Sequence, residues 1–91
     1  MVPDEEVALA QAAFDALRRQ GNPRLASGLL ARYLRRFPEG KLLEEALGMA
    51  IEAAAALSDP RAGELAKRYL NRFPDGEFRE AAERAVRRFG Q

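Results

Sequence analysis

Two sets of side chains in this sequence could do chemistry, namely adjacent carboxylates and clustered arginines. Paired carboxylates such as Glu44 and Glu45, or the run from Asp4 to Glu6, could act as general acid and base in a hydrolysis. Each group, however, occupies the first turn of a predicted helix, where the positive end of the helix dipole stabilises negative charge. We therefore interpret these carboxylates as structural, and the sequence predicts no catalytic residue, no metal site and no cofactor.

The arginines could bind phosphate groups. The clusters lie late in their predicted helices, where a cation complements the negative end of the dipole, and 15 basic residues are balanced by 14 acidic ones. Nucleic-acid binding is therefore the less favoured alternative, and no nucleic acid is expected as a partner. It would require one arginine face uninterrupted by glutamate, which we do not expect. The clusters are Arg18 and Arg19; Arg32, Arg35 and Arg36; Arg68 and Arg72; and Arg87 and Arg88.

Composition removes several other classes of site. The chain has no Cys and no His, which excludes disulfides, thiolate nucleophiles, imidazole bases and the usual zinc ligands. No apolar stretch approaches the roughly 18 residues of a membrane span, so no membrane insertion is expected. A chain of 91 residues with 47% hydrophobic and 32% charged residues is typical of one globular domain, and we treat residues 1–91 as a single domain.

Five segments with helical spacing of apolar residues position these side chains. Asp4 is placed to cap the first segment, and the turns around Gly21 and Pro23, Pro38, Pro60 and Pro74 separate the others. No segment has the alternating pattern of a β-strand. The third segment is almost wholly apolar, which predicts a central helix covered on several sides. The predicted apolar stripes include Val7, Ala10, Ala13, Phe14 and Leu17 in the first helix and Leu25, Ala26, Leu29, Leu30, Tyr33, Leu34 and Phe37 in the second.

One phrase occurs twice, as RYLRRFPEG at 32–40 and RYLNRFPDG at 68–76, a spacing of 36 residues. Self-similarity at such a period is typical of stacked helical hairpins, none of which can bury its apolar face alone. Each phrase would end the second helix of a hairpin with bulky residues, break it at Pro and reverse the chain at Gly. The sequence thus predicts an all-α fold, a short α-hairpin solenoid of five antiparallel helices: repeat 1 about 4–38, repeat 2 about 41–74 and a capping helix about 77–89.

The repeated phrase resembles tetratricopeptide repeats, and is most similar to the variant in bacterial envelope proteins such as outer-membrane assembly lipoproteins and the Tol-Pal periplasmic coordinator. The resemblance covers residues 7–89. Three features depart from it: a period of 36 instead of about 34 residues, a second turn that is one residue shorter, and Gly where Ser is common after Phe-Pro. The matching positions are Gly21, Asn22, Ala26 and Pro38 in the first unit and Ala46, Ser58, Asp59, Ala62 and Pro74 in the second.

The resemblance implies a non-enzymatic adaptor that holds a partner protein or peptide in a concave groove, within a bacterial envelope complex. It implies the periplasm or cell envelope, although the composition is equally compatible with the cytoplasm. An alternative is an oligomerising or capping fragment of a larger repeat protein that self-associates through its first or fifth helix. The groove residues could also form an ordinary solvated face. Carried over by position, they are Gln11, Asp15, Arg18, Glu45, Gly48, Glu52, Arg84 and Arg88.

Overall fold

The computed structural model describes residues 4–90, which form five α-helices and contain no β-strand. The predicted all-α class is confirmed. The helices are α1 (Glu5–Arg18), α2 (Pro23–Arg36), α3 (Leu43–Ala56), α4 (Arg61–Arg72) and α5 (Arg79–Phe89).

Side chains and glycine set several helix ends. Asp4 Oδ1 accepts a hydrogen bond from the Glu6 amide at 2.8 Å, which confirms the predicted cap of α1. Asn22 Oδ1 accepts one from the Leu25 amide at 3.0 Å, next to Pro23 in the first turn of α2. Between the two helices, Gly21 adopts a φ of 57°, which a residue with a side chain rarely tolerates.

Successive helices run in opposite directions. Glu6 in the first turn of α1 contacts Tyr33 near the end of α2, and the same carboxylate contacts Leu42 at the start of α3. The end of α2 therefore lies beside the starts of α1 and α3, as short connections between helices favour. Among residues 4–90, α3 is the one helix that contacts the other four, in agreement with its predicted central position.

The odd-numbered helices lie closer together than the even-numbered ones. α3 contacts both α1 and α5, whereas no Cα atom of α2 comes within 8 Å of one in α4. We call the exposed side of α1, α3 and α5 the odd-helix face, and the exposed side of α2 and α4 the even-helix face.

The core is built largely from alanine, which lets the helices approach closely. Alanines contribute twelve of the nineteen buried hydrophobic residues. The largest side chains that are fully buried are Tyr33, Tyr69, Leu30 and Leu47. Two expected core residues are exposed instead, because Phe14 retains 51% and Leu25 43% of their surface. For these two positions the predicted apolar stripe is wrong.

The first copy of the repeated phrase builds a buried joint between hairpins. Tyr33 Oη donates a hydrogen bond to Glu6 Oε2 at 2.5 Å, and the Leu42 amide donates to the same oxygen at 2.9 Å. The Tyr33 ring packs against Phe37 at a centroid distance of 5.5 Å. One carboxylate thus ties α1 to the end of α2 and the start of α3.

The second copy repeats the arrangement one hairpin later. Tyr69 Oη donates to Glu44 Oε2 at 2.7 Å, and the Glu77 amide donates to that oxygen at 3.0 Å. The Phe78 amide also donates to Tyr69 Oη at 2.8 Å. Tyr69 packs against Phe73 at 5.4 Å. The repeated phrase is therefore an architectural element whose partner carboxylate lies outside it.

Glycine is required in both joints by a close approach. A Cβ atom placed on Gly40 would overlap Tyr33 Oη and the Glu6 carboxylate, and one on Gly76 would overlap Tyr69 Oη and the carboxylate of the preceding odd-numbered helix. In each joint the tyrosine hydroxyl and the carboxylate are hydrogen-bonded to each other, so they cannot move away without losing that bond. Gly40 and Gly76, which follow Phe-Pro-Glu and Phe-Pro-Asp, thus leave space for the hydrogen-bonded tyrosine and carboxylate.

Candidate functional site

The eight residues proposed for partner binding all belong to the odd-numbered helices. Six of them are exposed, while Asp15 and Gly48 are half-buried. They do not form one uniform surface, because several are engaged in contacts within the protein. The set is Gln11, Asp15, Arg18, Glu45, Gly48, Glu52, Arg84 and Arg88.

Arg18 and Glu52 connect α1 to α3 across the odd-helix face. Arg18 donates from both terminal nitrogens to the two carboxylate oxygens of Glu52, and the Nη2 to Oε1 distance is 2.9 Å. This hydrogen bonding raises the pKa of the Arg18 guanidinium above its usual value. Both side chains remain about half exposed, so the pair contributes at most about 1 kcal/mol to stability. It mainly orients two charges at the surface.

Asp15 is occupied within α1 and its C-terminal turn. Its carboxylate accepts a hydrogen bond from Gln20 Nε2 at 2.9 Å, and it lies 3.4 Å from Arg19 Nε. It therefore neutralises Arg19 at the end of the helix. The Asp15 side chain also lines the open groove described below.

Gly48 has a packing role in the structure. A Cβ atom at this position would lie 2.7 Å from the Phe78 ring, so the absence of a side chain lets Phe78 rest on α3. Phe78 in turn packs edge-on against Tyr69 at 6.1 Å. Gly48 thus helps to anchor the segment that enters α5.

Arg88 reaches from α5 to the end of α3. Its guanidinium donates to the Ala55 carbonyl oxygen at 3.5 Å and to Ser58 Oγ at 3.1 Å, and it lies 4.5 Å from the centroid of the Phe89 ring. A cation at this position complements the negative end of the α3 dipole. Among residues 4–90, the side chains of Gln11, Glu45 and Arg84 make no hydrogen bond or ion pair, so they can bind a partner without first losing an internal contact.

Phe14 is a candidate binding residue that sequence reasoning missed. It lies in an open groove of about 780 Å³ along α1, lined in part by Gln11 and Asp15, with Met49 of α3 beside it. The Arg18 guanidinium lies 5.9 Å from the centroid of its ring. An aromatic ring beside a paired charge is typical of the anchor residues of protein interfaces.

A comparison within the chain would have identified Phe14. The joint carboxylates Glu6 and Glu44 are 38 residues apart, and the same offset aligns Phe14 with Glu52, an exposed acidic residue. Phe14 therefore occupies a surface position of the repeat. Its helical spacing from Ala10 and Leu17 suggested the core instead, because periodicity does not reveal where the next helix will lie.

The carboxylates considered for acid and base chemistry lie in the first turns of α1 and α3, as predicted. The tyrosine and amide hydrogen bonds hold the pKa of Glu6 below its usual value, so this carboxylate is an acceptor within the joint. Residues 4–90 contain no cluster of three acidic side chains that could hold a metal ion. They also contain no helix long and apolar enough to cross a membrane.

Comparison of the chain with protein-family models, with curated proteins and with solved structures gave no match.

Proposed function

We propose that this protein is a non-enzymatic protein-interaction module of the tetratricopeptide type, an adaptor that binds a partner segment on its odd-helix face. The observation that carries the proposal is the exposed Phe14 ring, beside Met49 and the Arg18 and Glu52 pair. An exposed aromatic residue in a groove would lose water on binding, which supplies affinity. The charged pair at its edge would orient the partner.

The chemistry of the face favours a peptide with both apolar and charged groups. Phe14 and Met49 offer an apolar contact, while Glu45 and Arg84 carry charges that no other residue among 4–90 neutralises. A partner side chain of either charge, positive or negative, therefore has a complementary group on this face. By resemblance, we place the partner in a bacterial envelope complex.

Replacing Phe14 by serine is expected to reduce capture of the partner at least about tenfold, because the apolar contact is lost. The protein should still fold, since half of the ring is already exposed. The measurement is a pull-down from a bacterial lysate that includes the envelope fraction, with quantification of each captured protein. Leu25→Ser is the matched control, because Leu25 has a similar exposed fraction and lies on α2.

A partner captured equally by wild type and Phe14→Ser would contradict binding on the odd-helix face. Capture of the partner by the Glu45→Arg and Glu52→Arg double variant is a second test of binding on the odd-helix face. A loss of capture would indicate that the acidic residues of α3 also contact the partner.

A second candidate function, self-association or continuation of a longer stack, is favoured by the free end of the structure. Ala46 and Ala50 of α3 are buried within the stack, and the residues 38 positions earlier, Ala8 and Ala12, are exposed on α1. Leu25 of α2 is exposed as well. At this end, Ala8 and Ala12 are therefore exposed at positions whose counterparts in the next hairpin are buried.

If two copies pair through this end, the Ala12→Glu and Leu25→Ser double variant is expected to convert a dimer into a monomer. The introduced carboxylate would have to be buried without a partner. Sedimentation velocity over a concentration series gives the measurement, with Arg87→Ala on the distant helix α5 as the control that should remain dimeric. A wild-type protein that is monomeric at every concentration would contradict self-association.

A further inference from the structure

The near-neutral charge of the chain conceals a separation of charges between helices. α2 contains four arginines and no carboxylate, and α4 contains four basic residues with Glu64 as its single carboxylate. α3, by contrast, contains three glutamates and no basic residue. The even-helix face is thus strongly basic, which the overall balance of 15 to 14 does not indicate.

A cleft runs between α2 and α4, with α3 at its base. It consists of two adjoining cavities of about 300 Å³ and about 430 Å³, which share Ser27, Ala31, Asp59 and Arg61 as lining residues. The cleft forms because α2 and α4 do not touch. Its apolar floor and sides are Ala31, Leu34, Ala50, Ala54 and Leu65.

Arginines with no internal partner border both cavities. Arg24 lines one cavity and Arg35 the other, and neither forms an ion pair within residues 4–90. Arg61 is different, because Asp59 accepts hydrogen bonds from its Nη2 at 2.7 Å and its Nε at 3.0 Å. The α2 side of the cleft therefore offers two uncompensated cations above an apolar floor.

Gly28 lines the same cleft and has no structural explanation. It lies in the middle of α2, where glycine costs about 1 kcal/mol relative to alanine. A Cβ atom at this position would meet nothing within 4 Å, so packing does not require glycine here. The missing side chain instead leaves the backbone of α2 open to close approach by a bound molecule.

We propose that the cleft between α2 and α4 is a second binding site, and that its ligand is an acidic peptide segment with an apolar side chain. Acidic groups of the peptide would pair with Arg24 and Arg35, the apolar side chain would cover Ala31 and Leu65, and the peptide backbone would pass Gly28. This site lies on the face opposite to the proposed groove and is independent of it.

The composition of the cleft favours a peptide over a nucleic acid. A phosphate backbone gains affinity from a continuous cationic track and would leave the apolar floor unused. On the α4 side, Asp59 and Glu64 interrupt such a track. A mixed acidic and apolar segment matches both the floor and the α2 side.

The test uses a fluorescein-labelled peptide of about ten alternating Glu and Leu residues, and a matched peptide with Gln in place of every Glu, measured by fluorescence anisotropy. We expect the acidic peptide to bind at least about tenfold more tightly than its neutral counterpart at low salt, with the difference reduced at high salt. The Arg24→Ala and Arg35→Ala double variant should lose that preference. The Arg68→Ala and Arg87→Ala double variant removes the same charge elsewhere and should retain it.

Gly28→Leu separates binding from folding. Because the added side chain enters open space and leucine is a better helix former, this variant should be at least as stable as wild type yet lose the peptide at least about tenfold. Phe14→Ser should bind the peptide normally, so failure of this site and failure of the odd-helix face are distinguishable. Equal binding by wild type and Gly28→Leu would overturn the proposal. Tighter binding of a single-stranded DNA oligonucleotide, lost in the Arg24 and Arg35 variant, would overturn it in favour of a polyanion site.

Discussion

Raising the pH from about 10 to about 12 is expected to unfold the protein, with Tyr33 and Tyr69 ionising as the helices separate. Burial and the hydrogen bond to Glu6 raise the pKa of Tyr33 far above its usual value of 10. Burial and the hydrogen bond to Glu44 raise the pKa of Tyr69 to about 12. Both joints between hairpins therefore require neutral tyrosines.

The direction of the effect follows from these shifts. The folded protein binds the phenol protons more tightly than the unfolded chain, so the stabilisation is fully present below pH 10 and is lost as the pH rises toward 12. Each tyrosine then removes about 1.4 kcal/mol from the free energy of unfolding per pH unit. Two tyrosines over two pH units give a loss of about 5–6 kcal/mol, comparable to the whole stability of a small domain.

Tyrosinate absorbance and helical circular dichroism, followed in the same alkaline titration, give the measurement. The chain has just two tyrosines, so the absorbance reports the joints alone. We expect the two transitions to coincide. Tyr33→Phe and Tyr69→Phe should each halve the absorbance change, which assigns the signal. Absorbance that rises around pH 10 while the helical signal stays constant would contradict the buried joints.

Gly63→Ala is expected to lower the free energy of unfolding by about 2 kcal/mol, because a Cβ atom has no space there. Gly63 is buried in α4, and its Cβ atom would lie 2.9 Å from the backbone carbonyl carbon and oxygen of Phe89 in α5. Backbone atoms cannot rotate away as a flexible side chain can. The substitution must therefore push α5 away from α4.

Gly28→Ala is the matched control, because it makes the same chemical change in open space on α2. We expect it to raise the free energy of unfolding by about 0.5–1 kcal/mol through helix propensity alone. Urea denaturation followed by circular dichroism measures both variants. If both substitutions raised the free energy of unfolding by the same amount, α4 and α5 would not approach as closely as the structure indicates.

The helices and their ends could be predicted from the sequence because their causes are local. Asp4 and the paired Asn22 and Pro23 identify helix starts, and the Phe-Pro pair in each repeated phrase identifies a helix end. The repeat indicated joints between hairpins. It did not indicate their partner carboxylates, since Glu6 lies 27 residues from Tyr33 and resembles any acidic residue in a first helical turn.

The candidate sites depended on tertiary packing. Periodicity placed Phe14 in the core, but its exposure depends on where α3 lies beside α1. Gly48 was expected on the binding face, and the approach of Phe78 from a segment 30 residues away gives it a packing role that its position in α3 did not indicate. The cleft at Gly28 exists because α2 and α4 diverge, and no property of either helix alone predicts that divergence.

Local patterns along the chain were thus sufficient for the five helices, their order and the repeated joints, because caps, breakers and helical periodicity act over a few residues. Helix packing was required to determine which apolar residues are exposed, which carboxylates are buried and where clefts open. Those properties arise between segments that are 25 to 36 residues apart. Distances of that kind are set by how small side chains such as alanine let helices approach, and they leave no short-range pattern in the sequence.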